Sequence, residues 1–95
     1  MSEIWSKTRL LIGQKMETLI RKKGFTITEV ADGNVYFVPD EGTGTRRWVT
    51  REMLEHIAGQ EWATTDLRPS RIMREYPSDR NSSYMAAILR KVMAP

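Results

Sequence analysis

The stretch FTITEVADGNVYFVP, residues 25–39, constrains the fold more than any other part of the chain. Two runs rich in β-branched and aromatic residues, 25–30 and 35–38, flank an Asp32-Gly33 pair. Asp-Gly accepts the positive φ values of a two-residue turn whose twist matches that of the strands it joins, so the pattern predicts a β-hairpin. Alternation gives Phe25 and Ile27 one face of the first strand, with Thr26 and Thr28 on the other. Pro39 cannot donate to an inner ladder and ends the second strand. After the loop DEGTGT, residues 46–49 return as a third strand, which completes an antiparallel meander over residues 25–49.

Helices are predicted on both sides of this meander. Upstream, Trp5, Thr8, Ile12, Met16, Leu19 and Ile20 recur at intervals of three and four, which predicts one amphipathic helix over residues 3–23. Ser2 is its expected N-cap, and Lys22, Lys23 and Gly24 suit its end. Gly13 falls inside it at a cost of about 1 kcal/mol relative to Ala. Downstream, Thr50 caps a helix over about 51–58, and Asp66 caps another over 67–76 with Pro69 in its first turn. A last helix spans about 82–93. The predicted fold is α+β: an N-terminal helix, a three-stranded antiparallel β-meander and three C-terminal helices in a single compact domain over residues 1–95.

Composition agrees. A chain of 95 residues has room for one core, and 40% hydrophobic with 28% charged residues is an ordinary globular balance. Without cysteine, disulfides and thiolate metal sites are excluded. No apolar run reaches the roughly 18–20 residues of a membrane span, and Glu3, Lys7, Arg9, Lys15 and Glu17 make the N-terminus too polar for a signal peptide. A cytoplasmic protein with no membrane partner is expected.

Charge is distributed unevenly. Residues 1–24 hold six cations and two anions, residues 25–65 three cations and seven anions, and residues 66–95 six cations and three anions. Two basic ends that met in space would form a face attractive to phosphate.

The last helix carries the sharpest functional signal. Met85, Ile88, Leu89, Val92 and Met93 form a core stripe, which leaves Ser83, Tyr84, Ala87, Arg90 and Lys91 as the expected outward strip. Hydroxyls at a helix start bond phosphates, Ala87 permits close approach, and Arg90 or Lys91 can reach guanine edges or phosphate. Arg68, Arg71 and Arg74 lie three apart on the preceding helix as candidate phosphate clamps, with Arg80 in the turn between. The competing reading is structural: Asn81, Ser82 and Ser83 cap any helix, and Arg71 pairs with Glu75 one turn on. The three C-terminal helices resemble helix-turn-helix and winged-helix modules, although here the strands precede those helices.

Catalytic signals are sparse. His56 is the single histidine, with Glu52 one turn before it, and EMLEH lacks the second histidine of a zincin. EGTGT lacks a Walker lysine, and Ser82 and Ser83 have no histidine at a spacing that suggests a nucleophile. The expectation is a small non-enzymatic module without metal or cofactor that binds nucleic acid through its C-terminal helix. The alternative is a protein-interaction adaptor or homodimer acting through the sheet edge and exposed aromatics, among which Tyr36 stands out.

Overall fold

The chain starts as the predicted helix, α1 (Glu3–Arg9), but leaves it early and forms a strand, β1 (Lys15–Glu17), where the helix was expected to continue. Gly13 is the reason. It adopts φ +85°, and its N–H donates to the carbonyl of Ile27 at 2.7 Å. The left-handed conformation that glycine tolerates ends one element, and the hydrogen bond ties the next to the sheet. Of the predicted stripe, Trp5 and Thr8 are buried, whereas Ile12 and Ile20 are exposed. Leu11, which the stripe omits, is buried instead. Lys22, not Gly24, takes the second left-handed position at φ 56°, which reverses the chain into the following strand.

This computed structural model describes residues 3–42 and 44–93; Ser2, the expected cap of the first helix, lies outside them. The remaining strands are β2 (Gly24–Ala31), β3 (Asn34–Pro39) and β4 (Arg47–Thr50), in an antiparallel sheet of order β1-β2-β3-β4. The fold is α+β as expected, with four strands among the described residues rather than three. The predicted hairpin turn forms with Asp32 and Gly33 at φ 54° and 75°. Ala31 pairs with Asn34 and Ile27 with Phe37, but Glu29 is opposite Tyr36, so Thr28 is the extra residue of a bulge. Strict alternation would put Glu29 in the core and Val30 in solvent. The bulge reverses both, so that Thr28 and Glu29 are exposed and Val30 is buried.

The core lies on the sheet face that carries Phe25, Ile27, Val35, Phe37 and Val49, each of which is fully buried. The chain passes from β4 directly into α2 (Arg51–Ala58), where the Thr50 hydroxyl accepts the Met53 N–H at 3.1 Å as the predicted cap. A 3-10 turn (Glu61–Thr64) leads to α3 (Pro69–Glu75). This helix is shorter than predicted: Asp66 does not cap it but pairs with Arg68 at 2.7 Å. The last helix, α4 (Ser82–Val92), starts where expected and is the centre of the molecule. Among the described residues no helix is long and apolar enough to cross a membrane.

Candidate functional site

The expected reading helix is a core helix. In α4, Ser82, Tyr84, Met85, Ala86, Ala87, Ile88, Leu89 and Val92 are all buried. Tyr84 and Ala87 were expected to face outward. Instead the Tyr84 ring packs 5.1 Å from that of Phe25 and 4.7 Å from that of Phe37, centroid to centroid. Ala87 is only 3% exposed. The cause is the number of neighbours: α4 lies against the sheet and also against α1, α2 and α3, so most of its circumference is covered. Of the predicted strip, Ser83 is half-buried and only Arg90 and Lys91 remain exposed, at the far end.

The arginine ridge is similarly dispersed. Arg68 is held by Asp66, the Arg71 guanidinium lies 5.1 Å from the Trp62 ring centroid, and Arg74 is exposed. Arg90 donates to the Leu67 carbonyl at 3.4 Å. Arg80 alone joins a larger constellation, and its partners come from the sheet.

Strand β4 is an edge of the sheet, and the turn before α4 runs beside it. The Asn81 side-chain amide donates to the Trp48 carbonyl at 3.2 Å, while the Asn81 N–H donates to the Asp79 carboxylate at 2.7 Å. The first bond holds the turn against the edge strand, and the second is internal to the turn. Between turn and strand lies an open pocket of about 440 Å³ lined by Arg46, Arg47, Trp48, Asp79, Arg80 and Asn81. Three arginines and one aspartate thus contribute to the lining of this pocket. Asn81 Oδ1 is buried with no hydrogen-bond partner among the described residues.

On the open sheet face next to this pocket, Tyr36 and Trp48 sit opposite each other with ring centroids 6.4 Å apart. Trp48 is 54% exposed. The Arg46 guanidinium lies 4.3 Å from the Tyr36 centroid, within cation–π range, and 3.5 Å from the Glu29 carboxylate. The Tyr36 hydroxyl accepts from the Asn34 side-chain amide at 3.1 Å. Arg47 emerges on the other face of the strand, 5.7 Å from the Tyr84 ring. An aromatic shelf thus lies beside a cationic pocket, an arrangement suited to flat, anionic ligands. Tyr36, expected to be an exposed aromatic, is half-buried, and the string Arg46-Arg47-Trp48 carried the remaining signal, but only the folded structure brings that string beside Arg80.

His56 offers less. Its ring stands edge-on to Tyr76 at 6.0 Å and its Nε2 lies 3.4 Å from the Gln60 amide. Burial, with the Glu52 and Glu75 carboxylates adding to it, raises the Tyr76 phenol above its ordinary 10.0. Among the described residues no group of three or more His, Cys, Asp and Glu side chains is placed to hold a metal ion. Comparison of the chain with protein families, curated proteins and solved structures gives no match.

Proposed function

We propose that this chain is a small non-enzymatic binding module for single-stranded nucleic acid, and that its ligand surface is the open sheet face and the adjoining β4 edge. One observation carries the reading: Trp48, more than half exposed, is ranged with Tyr36 beside Arg46, Arg47 and Arg80. Stacking on exposed aromatics tolerates any base, and guanidinium groups track the phosphates alongside. The burial of Tyr84 and Ala87 removes the surface that a major-groove helix would need, so unpaired bases, which can splay onto a sheet, fit this molecule better than a duplex.

Fluorescence anisotropy with a labelled mixed-sequence 12-mer, single-stranded and as duplex, tests the proposal. The single strand binds more tightly, and three phosphate contacts give a log K against log salt slope of about −2. Trp48→Ala, on the exposed face, weakens binding roughly 5- to 150-fold, which corresponds to about 1–3 kcal/mol per stacked base. Absence of binding at low salt refutes the proposal, as does affinity that Trp48→Ala leaves unchanged.

A further inference from the structure

The opposite edge of the sheet carries a second, chemically different surface. Strand β1 is the outermost strand there, with β2 on one side and, among the described residues, no strand on the other. Its hydrogen bonds fix which backbone groups are free for a partner. The Thr18 N–H donates to the Lys23 carbonyl at 2.9 Å, and the Gln14 carbonyl accepts the Ile27 N–H at 3.4 Å. Residues 14, 16 and 18 therefore address β2, in register with Met16 opposite Phe25. In an antiparallel ladder the intervening residues point their N–H and C=O groups the other way. Lys15 and Glu17 thus present two donors and two acceptors away from the sheet.

Lys15 and Glu17 also line a groove of about 390 Å³ between β1 and the last turns of α4. Its floor is apolar, from Met16 and Leu19, its helix rim carries Arg90 and Lys91, and its strand rim carries Lys15 and Glu17. Ala87, Arg90 and Lys91 stand three and four residues apart and so share one face of the helix. The basic N- and C-terminal segments of the sequence meet here. Of the cations, Lys15 is already paired with Asp40 at 3.0 Å, while Arg90 makes one long contact, with the Leu67 carbonyl, among the described residues. Just beyond the two ends of β1, Leu10 and Ile20 are 74% and 68% exposed, the two most exposed large hydrophobic residues of the described chain.

We propose that this groove binds an extended, acidic peptide segment of a partner protein, added as a fifth strand beside β1. Main-chain bonds to Lys15 and Glu17 supply the pairing, alternate apolar side chains settle on Met16 and Leu19, and carboxylates meet Arg90 and Lys91. Charge complementarity selects the partner: Arg90 and Lys91 favour an acidic strand over a basic one. This surface is independent of the nucleic-acid reading, which uses the β4 edge.

The test uses the full chain and two labelled heptapeptides, one alternating Val with Glu and the other Val with Lys, followed by fluorescence polarisation and amide NMR. The expected result is saturable binding of the acidic peptide, with shifts and exchange protection at the Lys15 and Glu17 amides. Glu17→Pro removes an outward donor without removing a bond to β2, which edge strands tolerate. It weakens binding at least tenfold, and Lys91→Glu, on an exposed side chain, does the same. Circular dichroism and thermal melts confirm that both variants fold. The proposal is overturned if neither peptide binds, if the basic peptide binds equally well, or if the folded Glu17→Pro variant binds as the parent does. It is also overturned, in favour of a second copy of the chain, if sedimentation shows a dimer that Glu17→Pro dissociates.

Discussion

Gly13→Ala separates the observed fold from the long helix that the periodicity of residues 3–23 suggests, because the two give opposite signs. In a continuous helix, replacing a mid-helix glycine by alanine stabilises by about 1 kcal/mol. In the observed structure Gly13 sits at φ +85°, and a methyl group added there meets nothing within 4 Å. The cost is therefore confined to the backbone, and an L-residue in the left-handed region loses roughly 1–2 kcal/mol. The chain cannot relieve it by rotating toward negative φ without losing the 2.7 Å bond from Gly13 to Ile27 that starts the β1–β2 pairing. For a domain of this size about 1 kcal/mol moves the melting temperature by roughly 4–8 °C. Thermal denaturation followed at 222 nm should show Gly13→Ala melting at least about 4 °C below the parent. Gly13→Asn should fall between the two, since asparagine tolerates this region better than alanine. A melting temperature that rises in Gly13→Ala refutes the assignment of residues 10–17.

Three further outcomes follow from the same geometry. Thr50→Ala removes the side-chain acceptor of the Met53 N–H at the start of α2 and should lower the urea-derived unfolding free energy by about 1 kcal/mol. Phe37→Ala empties a site where a fully buried ring lies 5.6 Å from Phe25 and 4.7 Å from Tyr84. It should cost about 3–5 kcal/mol, a large share of the 5–15 kcal/mol typical of a domain, and calorimetry should find the variant close to unfolding at 37 °C. Tyr76 holds its proton more tightly in the folded state than its ordinary 10.0, because burial and then Glu52 and Glu75 disfavour the phenolate. The unfolded chain thus releases this proton first as pH rises, and the contribution, fully present below pH 10, is lost above it. Urea midpoints measured from pH 9 to 11 should fall more steeply for the parent than for Tyr76→Phe; parallel curves would contradict this.

The parts of the fold legible in the sequence are those set by neighbouring residues. Asp32-Gly33 specifies its turn by backbone conformation alone, and Thr50 caps α2 through a bond spanning three residues. The failures share a non-local cause. Met16 and Leu19 fit a helical stripe, yet residues 15–17 gain a ladder with β2 that a helix would forgo, and Gly13 makes the switch inexpensive. Thr28 gives no local warning of a bulge; it is forced by the need to bury Val30 while keeping Glu29 in solvent. The expected outward placement of Tyr84 and Ala87 failed for the same reason. A helical projection orders the side chains of α4 around an axis but does not count its neighbours, and Tyr84 and Ala87 were small or apolar enough to accept the extra ones.

With the core on one face of the sheet, the exposed side chains available for recognition are displaced to the other face and to the two edges. The edges then differ in kind. At β4 the free backbone edge is partly taken by Asn81, which bonds the Trp48 carbonyl, so recognition there rests on side chains: rings and guanidinium groups. At β1 no such bond caps Lys15 or Glu17 among the described residues, so recognition there rests on the main chain, with Arg90 and Lys91 selecting the sign of the partner's charge. Three inter-strand spacings separate β1 from β4, roughly 14 Å at about 4.8 Å each. Sites farther apart than about 7–10 Å without shared partners perturb one another little. The double variant Trp48→Ala with Glu17→Pro should therefore lose each activity by the same factor as the corresponding single variant. Each single variant should keep the other activity intact, an independence that a single binding surface spread across the whole sheet would not give.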